Sequence, residues 1–504
     1  MPKRKPLTIV FASAEIAPFS KTGGLGDVAG SLPPAIQEQG QSLHVFTPLH
    51  YVTDVKKHGL KRIKWRLPIT IGDKKLFFNI WQGKLNNNVP VYFIDHYDLF
   101  RKRHNLYGYP KDGNYRYYFF NKAILEAVKI LKIKPRVIHC HDWHVGLIPN
   151  LIHSQEYGSY FSNTATVITI HNILFQQAVH SQSLYQKDNG LGLPKETIRE
   201  IKKLNFLLRG ILNADAISTV SQQYAEEIQT PAFGNGLEEH LYRRRKRLFG
   251  ILNGIDYNHF DPRHDEHIAH KYHLSDLYKK RRNKSFLQDK LGLDVDDNVP
   301  IIGMATRITE QKGFELLFDI IDQLMTMHLQ IAIVGSGDDE YEKLIAKYNK
   351  KYPKKIGVHL EFSESVASHI YAGSDMFLMP SRFEPCGLGQ MIALRFGTIP
   401  IVHKVGGLAE TIKDYNPSRK TGNGFTFTHY TSMDMLSAII RALETFKYRD
   451  RWDKLMRSSM KQSYSWELPA EQYIKLYRFA ISKRRKYPVV KFHPDKKLTA
   501  KLQS

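Results

Sequence analysis

The feature that most constrains this chain is a recurrence. Short apolar, β-branched runs alternate with stretches of helical apolar spacing, and many of the runs close on polar or glycine-rich residues. In the first half the runs are Leu7–Ala12, Leu43–Thr47, Val91–Ile94, Val137–Cys140, Thr166–Ile170 and Ala216–Val220. In the second half they are Ile301–Ala305, Ile331–Val334, Met376–Met379 and Ile399–Val402. This alternation is the signature of parallel α/β domains. Open parallel sheets bind ligands beyond the carboxyl ends of their strands. Those ends carry Ser13 and Glu15, His141-Asp142, His171-Asn172, Ser221, Arg307, Gly335 to Asp338, and Ser381 to Glu384. The sequence therefore predicts chemistry facing one crevice from both halves.

A chain of 504 residues exceeds one ordinary core, so two or three domains are expected. The boundary falls near residue 250, where the charge run Arg243–Arg247 meets the short strand and turn of Gly250 to Asp256. No apolar run approaches the roughly 20 residues of a membrane helix. The basic start, Met1 to Pro6, leads into a first strand and not a signal peptide. The two cysteines, Cys140 and Cys386, fit a reducing cytoplasm. The net charge of +24 admits nucleic acid, a membrane surface or anionic ligands as partners. Its clusters, Arg243–Arg247, Lys279–Arg282 and Lys483–Lys486, sit in no recognisable nucleic-acid module. They read as solvated basic surface, with incidental polyanion binding at low salt.

Several strand ends offer specific chemistry. Lys21-Thr22-Gly23-Gly24-Leu25-Gly26-Asp27-Val28 follows the first strand and opens a helix. Backbone N–H groups and the helix dipole there face an anion. The glycines let backbone approach a ligand, Lys21 adds a mobile cation, and Asp27 a carboxylate for a sugar hydroxyl. His141-Asp142-Trp143-His144 lacks a third ligand at metal spacing and is no His-Glu-x-x-His. Asp142 reads equally as a helix cap or as a group reaching the crevice. His171 and Asn172 end another strand. Arg307 and Lys312, five residues apart, suit a diphosphate, the guanidinium as a fork and the ammonium as a point charge. Gly337 lies in a further glycine turn. Glu384, in Ser381-Arg382-Phe383-Glu384-Pro385-Cys386-Gly387-Leu388, can bind sugar hydroxyls or stabilise an oxocarbenium ion. The backbone N–H groups of Cys386, Gly387 and Leu388 can meet an anion. Cys386 has no evident base partner and reads as a packed residue.

Taken together, Lys21–Val28, Arg307–Gly313 and Glu384–Leu388 resemble the bacterial and plant glycogen/starch synthases, the retaining glycosyltransferases of family 5 with the GT-B fold. Asn253-Gly254-Ile255-Asp256, Gly373-Ser374-Asp375 and Gly406-Gly407-Leu408 support the resemblance, which runs from Ile9 to about Tyr477. It implies an α/β fold of two Rossmann-like domains facing each other across a deep cleft. The expected divisions are an acceptor-side domain over 1–250, a hinge over 251–257, a nucleotide-sugar domain over 258–468, a helix over 469–487 packing back on the first domain, and a basic tail over 488–504. The implied activity moves glucose from ADP-glucose to the non-reducing end of an α-1,4-glucan with retention. Glu384, His171, Lys312, Arg307 and Asp142 are implied at the reacting centre. Lys21, Gly23, Gly24, Asn253, Gly337, Phe362, Cys386, Gly387 and Leu388 are implied on the donor, with Phe362 stacking on adenine. Asp27, Asn172 and Tyr107 are implied on the acceptor or sugar. No cofactor or metal is implied, because Arg307 and Lys312 neutralise the leaving diphosphate. The implied partners are the nucleotide-sugar donor and the glucan, with no membrane and no specific nucleic acid; oligomerisation stays open.

The chain departs from the family pattern in places. Gly389 stands where the family carries threonine, which removes a hydroxyl near the expected phosphate. The segment Gly113 to Arg116 replaces an Asp-Asn pair, and Pro33-Pro34 predicts a kinked helix. UDP-glucose as donor, another acceptor, and a non-catalytic glucan- or polyanion-binding protein are the alternative readings. The last is disfavoured by the joint presence of Lys21, Asp27, His171, Arg307, Lys312 and Glu384.

Overall fold

Strand β1 (Thr8–Ala12) lies between two parallel neighbours, β2 (Ser42–Pro48) and β6 (Val137–His141), and residues 9–12 are fully buried. A strand covered on both faces needs no polar alternation, which is why it reads as a continuous apolar run. The computed structural model describes residues 5–104, 106–107, 113–154, 156–176, 188, 190, 192, 195–361 and 363–486. Phe362 and the tail over 488–504 lie outside the described residues.

The first sheet also holds β3 (Lys61–Ile71), β4 (Lys74–Lys84), β5 (Pro90–Asp95), β7 (Ala165–Ile170), β8 (Ala216–Thr219) and β9 (Leu248–Gly250). Its order is β3-β4-β5-β2-β1-β6-β7-β8-β9. The β3–β4 pair is an antiparallel hairpin that the strand pattern did not predict. Most of β3 is exposed on both faces, so its charged residues hide the period-two signal. The helix Gly24–Glu38 is a single element that contains Pro33 and Pro34.

The second sheet is parallel throughout, in the order β12-β11-β10-β13-β14-β15. It comprises β10 (Ile301–Ala305), β11 (Gln330–Val334), β12 (Ile356–His359), β13 (Met376–Met379), β14 (Ile399–His403) and β15 (Phe425–Phe427). Helices Phe314–Met325 and Ser432–Lys447 bury Leu317, Ile321, Leu324, Met435 and Ile439 in the same core as Ile302, Ile331 and Ile401. The short edge strands β12 and β15 were also missed; at three or four residues they give little pattern to detect.

The chain divides into two units: 1–218, 239–248 and 470–504 in the first, and 219–238 and 249–469 in the second. Segment 219–238 belongs with the second unit through specific bonds. Ser221 Oγ donates to the Pro385 carbonyl at 2.6 Å, the Gln222 N–H to Glu410 at 2.7 Å, and the Gly406 N–H to Glu227 at 2.9 Å. The last helix, Glu467–Lys486, has Pro469 in its first turn, where a missing N–H costs nothing.

The basic clusters are not purely solvated surface, as the sequence suggested. Arg244 donates to the carbonyls of Ile211 and Ala214, and Lys280 to those of Tyr371 and Ala372 and to Thr398. Lys284, just past that cluster, pairs with Asp375 at 2.8 Å, and Arg484 reaches His153 at 3.3 Å. At Arg244 and Lys280 carbonyl oxygens replace the lost water, and burial lowers the Lys280 ammonium to about 7. Among the described residues, no helix is long and apolar enough to cross a membrane.

Candidate functional site

The first unit gathers its candidates beyond β1, β6 and β7. Gly23 is extended and caps the helix that starts at Gly24. The space where a Gly23 side chain would stand is open, with nothing within 4 Å, so this backbone can be approached. Lys21 is held by Asp27, Nζ to Oδ1 at 2.8 Å. The predicted mobile cation and sugar-binding carboxylate are thus paired with each other. Beneath the loop, buried Glu15 accepts from the Thr22 N–H at 2.6 Å and the Thr22 hydroxyl at 2.8 Å. Burial nevertheless lifts the Glu15 carboxyl above the usual carboxylate range. Tyr107 stacks on His144, centroids 4.8 Å apart.

Asp142 follows β6 with φ 59° and ψ −177°, a backbone region almost reserved for glycine. Such an outlier costs about 1–3 kcal/mol and persists only where the surroundings enforce it. Here the side chain shows what enforces it. Asp142 makes no capping bond to the turn that follows; that expectation is corrected. Instead Oδ1 accepts the His171 N–H at 2.7 Å, and the Asn172 N–H also bonds the carboxyl. Asp142 therefore ties the end of β6 to the end of β7. Burial raises its carboxyl to about 7, against the lowering effect of those two N–H groups. Asn172 Oδ1 accepts from the Leu174 N–H at 3.1 Å, which shapes the turn after His171.

His139 and His141 share a face of β6, since alternate strand residues point the same way. Their ring centroids are 4.0 Å apart. Phe11 of β1 stacks on His141, also at 4.0 Å. His141 Nδ1 lies 2.9 Å from His171 Nε2. Burial holds all three imidazoles below the usual histidine range, His171 at about 3. The cluster is therefore neutral near pH 7. Sequence reasoning singled out His171 and missed the row behind it; the His139-x-His141 spacing was the available signal. Among the described residues, no group of three or more His, Cys, Asp or Glu side chains is arranged to hold a metal ion.

In the second unit the candidates stand beyond β10, β11 and β13. Arg307 is exposed just past β10, and Lys312 closes the short turn Glu310–Lys312. Lys312 Nζ reaches Glu384 Oε2 at 2.6 Å, and Ser381 Oγ donates to the same oxygen at 2.9 Å. Ser381 is fixed in turn by His403, whose Nδ1 lies 2.8 Å from its carbonyl. Gly407 donates its N–H to the Glu384 carbonyl at 3.1 Å. Glu384 is thereby held at both its backbone and one carboxylate oxygen. The N–H groups of Cys386, Gly387 and Leu388 donate to no acceptor among the described residues. They precede the helix Gly389–Arg395, so they add to the orphan donors of its first turn. Asn253, buried, bonds the Cys386 sulfur, and burial pushes that thiol up to about 12. A thiol so protonated is a poor nucleophile. The Gly337 N–H donates to Glu342 at 2.6 Å, and a side chain at Gly337 would collide with the Ile308 carbonyl. At Gly389, an added Cβ would meet the Phe377 ring at 3.0 Å. Phe377 thus occupies room that a larger residue at 389 would need.

Residues 8–243 match the family model described as the starch synthase catalytic domain, and residues 286–458 match glycosyl transferases group 1. The catalytic domain of starch synthase IV from Arabidopsis thaliana, solved bound to ADP and acarbose, superposes with a TM-score of 0.86 at 29% identity, covering 95% of this chain and 100% of that one. Sucrose-phosphate synthase from Thermosynechococcus elongatus shares the fold, with a TM-score of 0.58 at 17% identity over 94% of this chain and 99% of that one. Two α/β sheets, one parallel throughout and one parallel apart from its β3–β4–β5 edge, with these matches define a glycosyltransferase with a GT-B-like fold. Glycogen synthase of Moorella thermoacetica is 42% identical over 95% of this chain and 98% of that protein. That of Pseudothermotoga lettingae is 40% identical over 95% of this chain and 100% of that protein. The chain belongs to the glycogen synthase family.

Proposed function

We propose that this glycogen synthase takes glucose from ADP-glucose and adds it, with retention, to the non-reducing end of an α-1,4-glucan. The observation that carries the reading is the Lys312–Glu384 pair at 2.6 Å, with Ser381 on the same carboxylate oxygen. As the glucose–phosphate bond breaks, negative charge grows on the diphosphate and positive charge on the anomeric carbon. Preorganised charges of opposite sign are what such a transition state needs. Lys312 and Arg307 face the first charge. Glu384 faces the sugar, its free carboxylate oxygen accepting from glucose hydroxyls. The N–H groups of Cys386 to Leu388 meet the donor's oxygens, and Asn253 supports that turn through the Cys386 sulfur.

In the first unit, Lys21 and the open Gly23–Gly24 backbone serve the donor diphosphate. Asp27, Asn172 and Tyr107 serve sugar hydroxyls, with Asp142 and His171 bordering the reacting centre. A donor that displaces Asp27 from Lys21 would free both groups for these roles. The proposed location is the cytoplasm, supported by two buried, unpaired cysteines.

The test supplies glycogen and labelled ADP-glucose or UDP-glucose side by side. Label enters polymer preferentially from ADP-glucose. Preferential use of UDP-glucose would overturn the donor assignment, and no label from either would overturn the activity.

A further inference from the structure

The reaction asks for one histidine near the sugar, yet the first unit contains three in a row. His171 Nε2 meets His141 Nδ1 at 2.9 Å, His141 Nε2 meets His139 Nδ1 at 3.2 Å, and His139 Nε2 meets Thr169 Oγ1 at 2.6 Å. Tyr477, from the last helix, places its hydroxyl 2.8 Å from His139 Nδ1. Thr169 Oγ1 lies 2.6 Å from Ser218 Oγ. His171 is partly exposed, while His141, His139 and Tyr477 are fully buried. The row thus runs from the strand end into the core.

We propose that His141, His139 and Tyr477 are positioning residues that set the tautomer of His171, leaving His171 Nδ1 as a hydrogen-bond acceptor toward the transferred sugar. The proposal rests on the reading of His171 as a group bordering the reacting centre. A neutral imidazole has one N–H and one lone pair, so its two nitrogens always play opposite roles. Each ring in the row therefore dictates the role of the next.

The buried phenol decides the direction. His139 is its hydrogen-bond partner among the described residues, and a buried hydroxyl left without an acceptor is destabilising. The Tyr477 O–H accordingly donates, and His139 Nδ1 accepts. His139 Nε2–H then donates to Thr169, whose hydroxyl proton is directed at Ser218. His141 Nε2–H points to the same His139 lone pair, His141 Nδ1 is bare, and His171 Nε2–H donates to it. His171 Nδ1 is left as a lone pair. It accepts from a glucose hydroxyl and cannot donate to the leaving phosphate. In the opposite direction His139 Nδ1–H would donate to the phenol, and the Tyr477 O–H would have no acceptor among the described residues.

The decisive variant is Tyr477→Phe, which removes one oxygen from the far end of the row and keeps the ring. Turnover falls about 3- to 10-fold, the effect of losing a hydrogen bond, while KM for the donor barely moves. Unchanged kcat with only a lower melting temperature would overturn the proposal. His171→Ala separates the two readings. If it retains full turnover, the placement of His171 at the reacting centre fails. If it loses turnover while Tyr477→Phe and His141→Gln do not, the positioning inference alone fails. A nitrogen–proton correlation spectrum of histidine-labelled wild-type protein reads the tautomer directly, with the His171→Ala spectrum used only to assign the signal. It shows His171 protonated at Nε2; protonation at Nδ1 would overturn the proposal.

Discussion

The two units prepare their strand ends in opposite electrostatic ways. In the second, the candidate groups are a close ion pair and exposed or half-buried cations: Lys312, Glu384 and Arg307. In the first, burial has made the central groups neutral or hard to ionise. His139, His141 and His171 resist protonation, and Asp142 holds its proton up to about 7. Fixed charge stabilises charge that develops elsewhere, whereas neutral donors and acceptors orient hydroxyls. On the proposed reading, the fixed charges of the second unit answer charge that develops as the donor bond breaks, and the neutral groups of the first orient sugar hydroxyls.

The sharpest way to break this contrast is to remove a charge from the second unit. Lys312→Ala and Glu384→Ala are each expected to lower kcat about 10²- to 10³-fold, the loss typical of one preorganised electrostatic group. Circular dichroism should show a retained fold. Near-normal turnover in both variants would remove the basis for the contrast.

The first unit should announce its neutral histidines through acid sensitivity. An unfolded imidazole titrates near 6.5, while the folded row stays unprotonated well below that. Stability falls wherever the unfolded chain binds more protons as pH is lowered. The contribution of the row is therefore complete above about pH 6.5 and declines below it, by up to ~1.4 kcal/mol per pH unit for each histidine. Asp142 acts in the opposite sense between about pH 4 and 7, because its folded form keeps a proton the unfolded form releases. Urea unfolding across pH 4.5 to 7.5 measures the balance. The double variant His139→Gln/His141→Gln should have a shallower acid slope, and an unaltered slope would contradict the burial argument.

A smaller change tests how firmly Glu384 is held. Ser381→Ala removes one donor from Oε2 and should reduce kcat roughly 10-fold, in line with one hydrogen bond to a charged group. The least effect is expected from Gly389→Ala. Its Cβ presses on Phe377, and denaturant titration should show a loss of about 1 kcal/mol with activity largely kept.

The strand-end chemistry was legible because glycine turns and polar clusters interrupt otherwise apolar runs. Arg307, Lys312 and Glu384 could be found for that reason, and the segments that carry them, taken with Lys21–Val28, point to the family in combination. What the sequence concealed was whatever depends on a partner distant in the chain. Asp142 looks like a helix cap until its carboxyl is seen to bond the N–H of His171. Lys280 and Arg244 look like solvated charge until their carbonyl partners are seen. Ser221 reads only as a polar strand-end residue, yet it caps the following helix and its hydroxyl also fastens Pro385, beside Glu384. Strand β3 escaped because charge on both faces erases the alternation that marks a strand.

The bond from His139 to Tyr477 joins residues 338 positions apart, and the whole second unit is encoded between them. A ribosome that has delivered the first 250 residues has not yet delivered the helix that seats against the histidine row. Domains emerge and fold from the amino terminus onward during synthesis, but this first unit must wait for Tyr477 to emerge. A chain released early carries the strand-end residues of β6 and β7 without the phenol that orders them. Synthesis through the helix Glu467–Lys486 thereby becomes a condition for a fully assembled first unit.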